Sequence, residues 1–264
     1  MKKWTMALSL ALAAAATAGA AQAVDLKGRE IRLAVDPTYP PLEFKTADGK
    51  LTGFGVDIAN ALCAQLNAHC VWMEMSFDGM IPGLLARKFD VISSSMTITP
   101  KRAEQIAFTN KISNAPARLV VHRGSPLLPD AASLKGKRVG VEQGTSQEDY
   151  ARAKWQSAGV EIVAYQNQDQ VYADLVSGRI DAAFQASIAA SDGFLKRPEG
   201  KDFTFAGPAI DDPKFFGQGD GLGLRKQDTE LRDAFNGALA EILSNGTYAR
   251  INRKYFDFDI YGAK

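Results

Sequence analysis

Apolar residues along the chain gather in short runs set between polar loops, and the runs come in a fixed order. Ile31-Arg32-Leu33-Ala34-Val35 and Arg138-Val139-Gly140-Val141 each read as a strand, and each follows a Leu-Lys-Gly triplet, at 26–28 and at 134–136. A polar loop comes after each strand. Further on, "IPGLLARKFDVISSS" (81–95) and "VYADLVSGRIDAAFQAS" (171–187) share a second order: amphipathic helix, basic residue, aspartate, buried strand. Strands that alternate with helices predict α/β layers built on parallel strands. The order occurs twice, too few times for a solenoid, and predicts two α/β lobes of similar build.

In open α/β sheets, ligands sit beyond the carboxyl ends of the strands. The segments there are "DPTYPP", "SSSMTITPKR", "EQGTSQ" and "QASIAAS", two from each predicted lobe. A cleft between the lobes would collect them. Ser93, Ser94, Ser95 and Thr97 put hydroxyls at a strand end, and Arg102 follows. A guanidinium offers two parallel N–H bonds to a carboxylate, so Arg102 is either a carboxylate clamp or a solvated surface arginine. Thr145 or Ser146 suits a helix N-cap, with Glu148 and Asp149 in the first turn. Free amides there would also face an anion. No Gly-Lys-Ser/Thr follows, so this is not a phosphate loop.

Composition narrows the class. The chain has 264 residues with 46% hydrophobic and 23% charged, the balance of a soluble globular protein, and its formal charge of +1 leaves no nucleic-acid footprint. Lys2 and Lys3, the small apolar run after them and Ala21-Gln22-Ala23 predict a cleaved secretory signal peptide over residues 1–23. The mature protein is then expected outside the cytoplasm, in the periplasm. In that compartment the even pair Cys63 and Cys70 points to a disulfide. A zinc site with His69 is the alternative, but two Cys and one adjacent His do not supply tetrahedral ligand spacing. His69 and His122 read as surface residues, Trp72, Trp155 and most Phe residues as core or half-buried surface, and Asp181 as a structural residue opening a buried strand. No metal or cofactor is called for.

The motifs "DPTYPPLEF", "GFGVDIANALC", "FDGMIPGLLARKFDVISSSMTITPKRAEQIAFT", "LKGKRVGVEQGTSQE", "GRIDAAF" and "NGTYARINRKYFDFDIYG" span nearly the whole mature chain. Together they resemble the periplasmic solute-binding proteins of polar amino-acid ABC importers (family 3), nearest the lysine/arginine/ornithine- and histidine-binding branch. The resemblance implies a two-lobed periplasmic-binding-protein fold, two α/β lobes joined by a two-strand hinge with the ligand in the cleft. Lobe 1 would comprise 24–113 plus 216–264, and lobe 2 would be 114–215. It implies a monomer that closes on an amino acid and docks on an inner-membrane ABC permease, with no enzymatic activity and no nucleic-acid partner. Arg102 would clamp the α-carboxylate, helped by Ser95, Thr97, Thr145 and Ser146. Ser94 would help hold the ammonium through its carbonyl. Tyr39 and Phe77 would sandwich the side chain, and Asp36 and Gln147 would line the distal pocket. Cys63 and Cys70 match that branch's disulfide.

Three positions depart from the branch. Gly55 and Ala186 stand where it carries aspartates, and Glu142 stands where it carries an apolar or neutral residue. The pocket is therefore expected to be larger and less negative at both ends. Either Glu142 takes over the ligand ammonium, or the ligand nitrogen is substituted, as in an opine; Glu142 as a solvated loop acid is the plain alternative. A third reading, a lyase derived from a binding protein, would use Glu142 as a general acid.

Overall fold

The computed structural model describes residues 26–262, so the expected signal peptide at 1–23 lies outside the described residues. Along the chain the strands are β1 (Glu30–Val35), β2 (Thr38–Tyr39), β3 (Glu43–Lys45), β4 (Leu51–Thr52), β5 (His69–Glu74), β6 (Val91–Thr97), β7 (Ala107–Phe108), β8 (Ala117–His122), β9 (Arg138–Glu142), β10 (Glu161–Tyr165), β11 (Ala182–Ala186), β12 (Phe203–Ile210) and β13 (Asp220–Leu224). The helices are α1 (Phe54–Gln65), α2 (Met80–Leu85), α3 (Pro100–Ala103), α4 (Ser146–Lys154), α5 (Gln168–Val176), α6 (Ser187–Ala190), α7 (Pro213–Phe216), α8 (Thr229–Ser244) and α9 (Thr247–Tyr255).

Two five-stranded mixed sheets form, ordered β5-β1-β6-β13-β7 and β10-β9-β11-β8-β12. In the first, β1 runs parallel to β5 and β6, with Leu33 opposite Val91, and β13 returns antiparallel to β6. In the second, β9 runs parallel to β10 and β11, with Val139 opposite Ala182, while β8 pairs antiparallel with β11 and β12. Helices cover both faces of each sheet, which is why the central strands are apolar on both sides rather than alternating. Phe54, Leu62, Phe235 and Leu239 pack with Ile31 and Leu33 on one face of the first sheet; Met80, Leu84, Phe89 and Met96 fill the other. Trp155, Phe184 and Phe215 fill one face of the second sheet, and Val171, Phe194 and Phe203 the other.

The repeat seen in the sequence is a repeat of structure. Gly28 and Gly136 both adopt left-handed φ, 73° and 74°, where a side chain is disfavoured. Each closes the same turn: Arg29 donates to Leu26 O at 2.8 Å, and Lys137 donates to Leu134 O at 2.9 Å. Each turn then delivers its strand to the neighbour, His69 donating to Arg29 O and Glu161 to Lys137 O, both at 2.9 Å. Asp90 and Asp181 complete the parallel: the amide of each donates to the first strand (Arg32 O, 2.9 Å; Arg138 O, 2.8 Å), and its carboxylate accepts that same residue's amide. Asp181 is thus structural, as its place before a buried strand predicts.

The chain leaves the first sheet after β7 and returns to it at β13, with all five strands of the second sheet between. The two crossing segments touch at a bridge between Ser113 and Asp220. Cys63 at the end of α1 and Cys70 in β5 form a disulfide with Cα atoms 6.2 Å apart, which consumes both thiols that a zinc site would need. Trp155 is buried, His69 and His122 are exposed, and the C-terminal segment packs Phe256 and Ile260 into the first sheet's core.

Candidate ligand-binding site

The carboxyl ends of β1, β6, β9 and β11 converge between the sheets, and the segments singled out there meet. Tyr39, Phe77, Ser95, Thr97, Arg102, Thr145, Ser146, Gln147, Ala186 and Asp220 line one cavity of about 30 Å³. Larger hollows, of about 830 Å³ beside Phe108 and about 660 Å³ beside Phe258, open to the surface away from these residues. This central cavity has room for little more than a water molecule.

Arg102 comes from α3, a single turn opened by Pro100. Thr99 caps it, its hydroxyl accepting the Arg102 amide at 3.2 Å. The side chain reaches back into the cleft and is buried, which pulls its pKa down to about 10. Its Nη1 donates to Thr97 O at 2.8 Å and its Nη2 to Gly144 O across the cleft at 3.1 Å. The guanidinium also lies 5.4 Å over the Phe77 ring. Arg102 is therefore not a solvated surface residue, and no side-chain carboxylate pairs with it among the described residues.

From the other lobe, "EQGTSQ" forms the turn into α4. Of the two candidate caps it is Thr145, whose Oγ1 accepts the Glu148 amide at 3.2 Å and donates to Glu142 O at 2.7 Å. Glu148 reaches back past the cap and accepts the Gly144 amide at 2.7 Å. This aims the helix start at the cleft, with Ser146 Oγ 3.5 Å from Thr97 Oγ1 and 3.2 Å from Gln147 Oε1. Outside the cavity, Lys101 and Asp149 bridge the two lobes at 2.8 Å. The Tyr39 and Phe77 rings stand 6.4 Å apart at 45°, tilted rather than parallel. Ser94 faces away from the cavity; its hydroxyl accepts the Asp36 amide at 3.0 Å.

The acids differ most from expectation. Glu142 is 1% exposed, so it is no solvated loop acid. Its Oε2 accepts the Tyr39 hydroxyl and it lies beside Asp36; burial, then Asp36, raises its pKa well above the ordinary carboxylate range. Glu43 and Asp220, absent from the sequence-based set, are also buried. Ser95 donates to Glu43 at 2.9 Å, and Ser113 to Asp220 at 3.1 Å. Burial lifts Glu43 well up and Asp220 to about 6. Both line a second hollow of about 20 Å³ behind Ser95, which joins the first at Ser95 and Asp220. Ser95 holds φ 44°, a left-handed kink at the strand end that turns its hydroxyl to Glu43.

Gly55 lies against a carboxylate. A Cβ on residue 55 would lie 2.1 Å from Glu43 Oε1. Glycine leaves the space that the Glu43 carboxylate fills, so an acid borders that end of the cleft. At the other end, Ala186 does border the cavity.

The full chain is similar to known proteins. Residues 31–258 match the family described as bacterial extracellular solute-binding proteins, family 3. The histidine-binding periplasmic protein of Salmonella typhimurium is 53% identical over 99% of this chain and 100% of that protein. The lysine/arginine/ornithine-binding periplasmic protein of Escherichia coli is 49% identical over the same shares. Among solved structures, a Salmonella typhimurium periplasmic binding protein of high arginine specificity superposes with a TM-score of 0.80 at 33% identity, covering 87% of this chain and 100% of that one.

Proposed function

The chain belongs to the bacterial extracellular solute-binding proteins, family 3, and from that premise we propose that it is the periplasmic binding component of an ABC importer, closing on a basic amino acid and handing it to a membrane permease. The observation that carries the ligand class is the uneven charge of the cleft. The site's buried charged residues comprise one guanidinium, Arg102, and four carboxyls, Asp36, Glu43, Glu142 and Asp220. A ligand with one carboxylate and more than one cationic nitrogen answers both signs, whereas an unpaired buried charge costs several kcal/mol, about 3–5 for a broken pair. Arg102 takes the carboxylate, helped by Ser95, Thr97 and the start of α4 at Thr145 and Ser146. Tyr39 and Phe77 flank the side chain, and Gln147 completes the wall. Ser94 acts through the Asp36 amide, and Glu142 stands in for the acid missing at Ala186. Residues 26–113 with 217–262 move as one body and 114–216 as the other, since Phe216 packs with Trp155 and Phe184 in the second sheet's core, hinged where Ser113 meets Asp220. Hinge closure is an established mode for periplasmic binding proteins.

A thermal-shift series on refolded, ligand-free mature protein tests this. A thousandfold excess over Kd stabilises by about 4 kcal/mol, a shift of roughly 10 °C for a chain of this size. Arginine, lysine, ornithine or histidine should give it and glutamine should not; a large shift with glutamine and none with the cationic set would sink the reading. Ala186 favours a second reading, an N-substituted derivative such as an opine, because a small residue there leaves room beside the ligand nitrogen. Octopine or nopaline shifting the protein while free arginine does not would decide for it. The lyase reading draws no comparable support: Glu142 is already held by Tyr39 and Asp36.

A further inference from the structure

Glu142 ends β9 in one lobe and Asp36 follows β1 in the other, and the two buried carboxyls interact behind Tyr39, whose hydroxyl Glu142 Oε2 accepts. The donors around them are already assigned. Asp36 Oδ1 accepts from the Thr38 amide at 3.1 Å and the Thr38 hydroxyl at 2.8 Å, and Oδ2 accepts from the Phe77 amide at 3.2 Å. Glu142 Oε2 takes the Tyr39 hydroxyl, and its Oε1 is buried with no donor. Two carboxylates this close in a buried site cannot both be ionised. A shared proton or a ligand cation between them relieves that repulsion.

We propose that the Asp36–Glu142 pair is an exchange site that holds either one shared proton or the cationic nitrogen of the bound ligand. The identity of that cation rests on the basic amino-acid reading above; the proton clasp between lobes does not. The surroundings leave no other source of positive charge. Lobe 1 presents Tyr39 to Glu142 and, through Glu43, a further acid to Asp36. Lobe 2 presents Asp169 and Tyr172 of α5 to Glu142. Arg197 acts on Asp169 and Tyr172, and Arg102 on Tyr39, one group removed from the pair. The amide and hydroxyl donors to Asp36 favour its ionised form, while burial and Asp36 itself favour protonated Glu142, so the shared proton belongs on Glu142.

The sign follows from counting protons. Closed with the shared proton, the pair binds one more than when the lobes part and both carboxyls are hydrated. Falling pH therefore favours closure without ligand, and rising pH opposes it. A cation that takes the proton's place releases it, so wherever the free protein holds the proton, affinity for a cationic ligand rises with pH by up to about tenfold per unit.

Small-angle scattering on mature protein stripped of ligand, from about pH 5 to about pH 8, tests the clasp. The radius of gyration should grow with pH in the wild type and stay constant in Glu142→Gln, whose amide can donate to Asp36 with no proton to lose. A wild-type radius independent of pH, or the same pH response in the variant, overturns the clasp. Calorimetry with arginine at about pH 5, in two buffers of different ionisation enthalpy, tests the exchange. About one proton should leave per arginine bound to wild type and none with Glu142→Gln; binding to the compact wild type without proton release overturns it. If no basic amino acid binds at any pH, the ligand reading of the previous section fails, and the scattering series still decides the clasp.

Discussion

The two lobes use the same device to seat their central strands, and they reinforce it differently. Asp181 in lobe 2 accepts the Arg138 amide at 2.8 Å, but its ion pairs with Arg138 and Lys137 are long, 3.7 and 4.0 Å, and exposed. Asp90 in lobe 1 receives both Nε and Nη2 of Arg32 at 3.0 Å and, at 3.1 Å, the buried Arg225 from just beyond β13. Arg225 also donates to Leu84 O and Phe89 O, at 3.2 and 2.6 Å. Topology explains the difference. Lobe 2 is one unbroken stretch of chain, so sequence neighbours hold its strands in register. Lobe 1 is assembled from two stretches separated by the whole of lobe 2, and Arg225 fastens the returning stretch to the first. The disulfide, too, lies in lobe 1.

The sharpest contrast lies in the cleft, where lobe 1 supplies the guanidinium and lobe 2 the Glu142 carboxyl. Arg102→Ala should remove about 3–4 kcal/mol of ligand binding, a loss of several hundredfold by calorimetry, because the ligand carboxylate would be buried without its partner. Asp90→Ala should lower stability by about 3 kcal/mol, since it takes one of two carboxylates from the buried Arg225 and leaves Asp228 as the other. Asp181→Ala should cost about 1 kcal/mol, one amide bond's worth; equal losses in urea titrations would end the idea that lobe 1 needs the extra tie. Between these falls the Cys63→Ser, Cys70→Ser pair, with a loss of about 2–3 kcal/mol for so short a loop. Lys101→Ala breaks an exposed pair and should change ligand affinity by less than about 1 kcal/mol, seen as slightly faster release in stopped-flow traces.

Much of this was legible in the residues. The Leu-Lys-Gly triplets, the paired aspartates and the hydroxyl-rich strand ends mark repeated local structure, and local structure writes itself into sequence. Family motifs placed Arg102, Thr145 and the disulfide. Glu43 and Asp220 were missed because nothing in "PLEFK" or "QGDGLGL" distinguishes a buried acid from a solvated one. The nearest signal was Asp220 at the head of a strand with no polar alternation. The relation of Gly55 to Glu43 was out of reach for another reason. It is a matter of volume shared by residues on different elements, which Gly55 read alone does not reveal.

The bridge between Ser113 and Asp220 has a consequence for how such a molecule can be rebuilt. Residues bridged in this way bring their Cα atoms within about 5.5 Å, so the polypeptide enters and leaves lobe 2 through a doorway barely wider than one peptide unit. Insertions between neighbouring ends are the kind that domains tolerate. Lobe 1 is in this sense a host and lobe 2 a guest, and a different guest grafted between 113 and 220 would inherit an anion clamp and a ready-made joint.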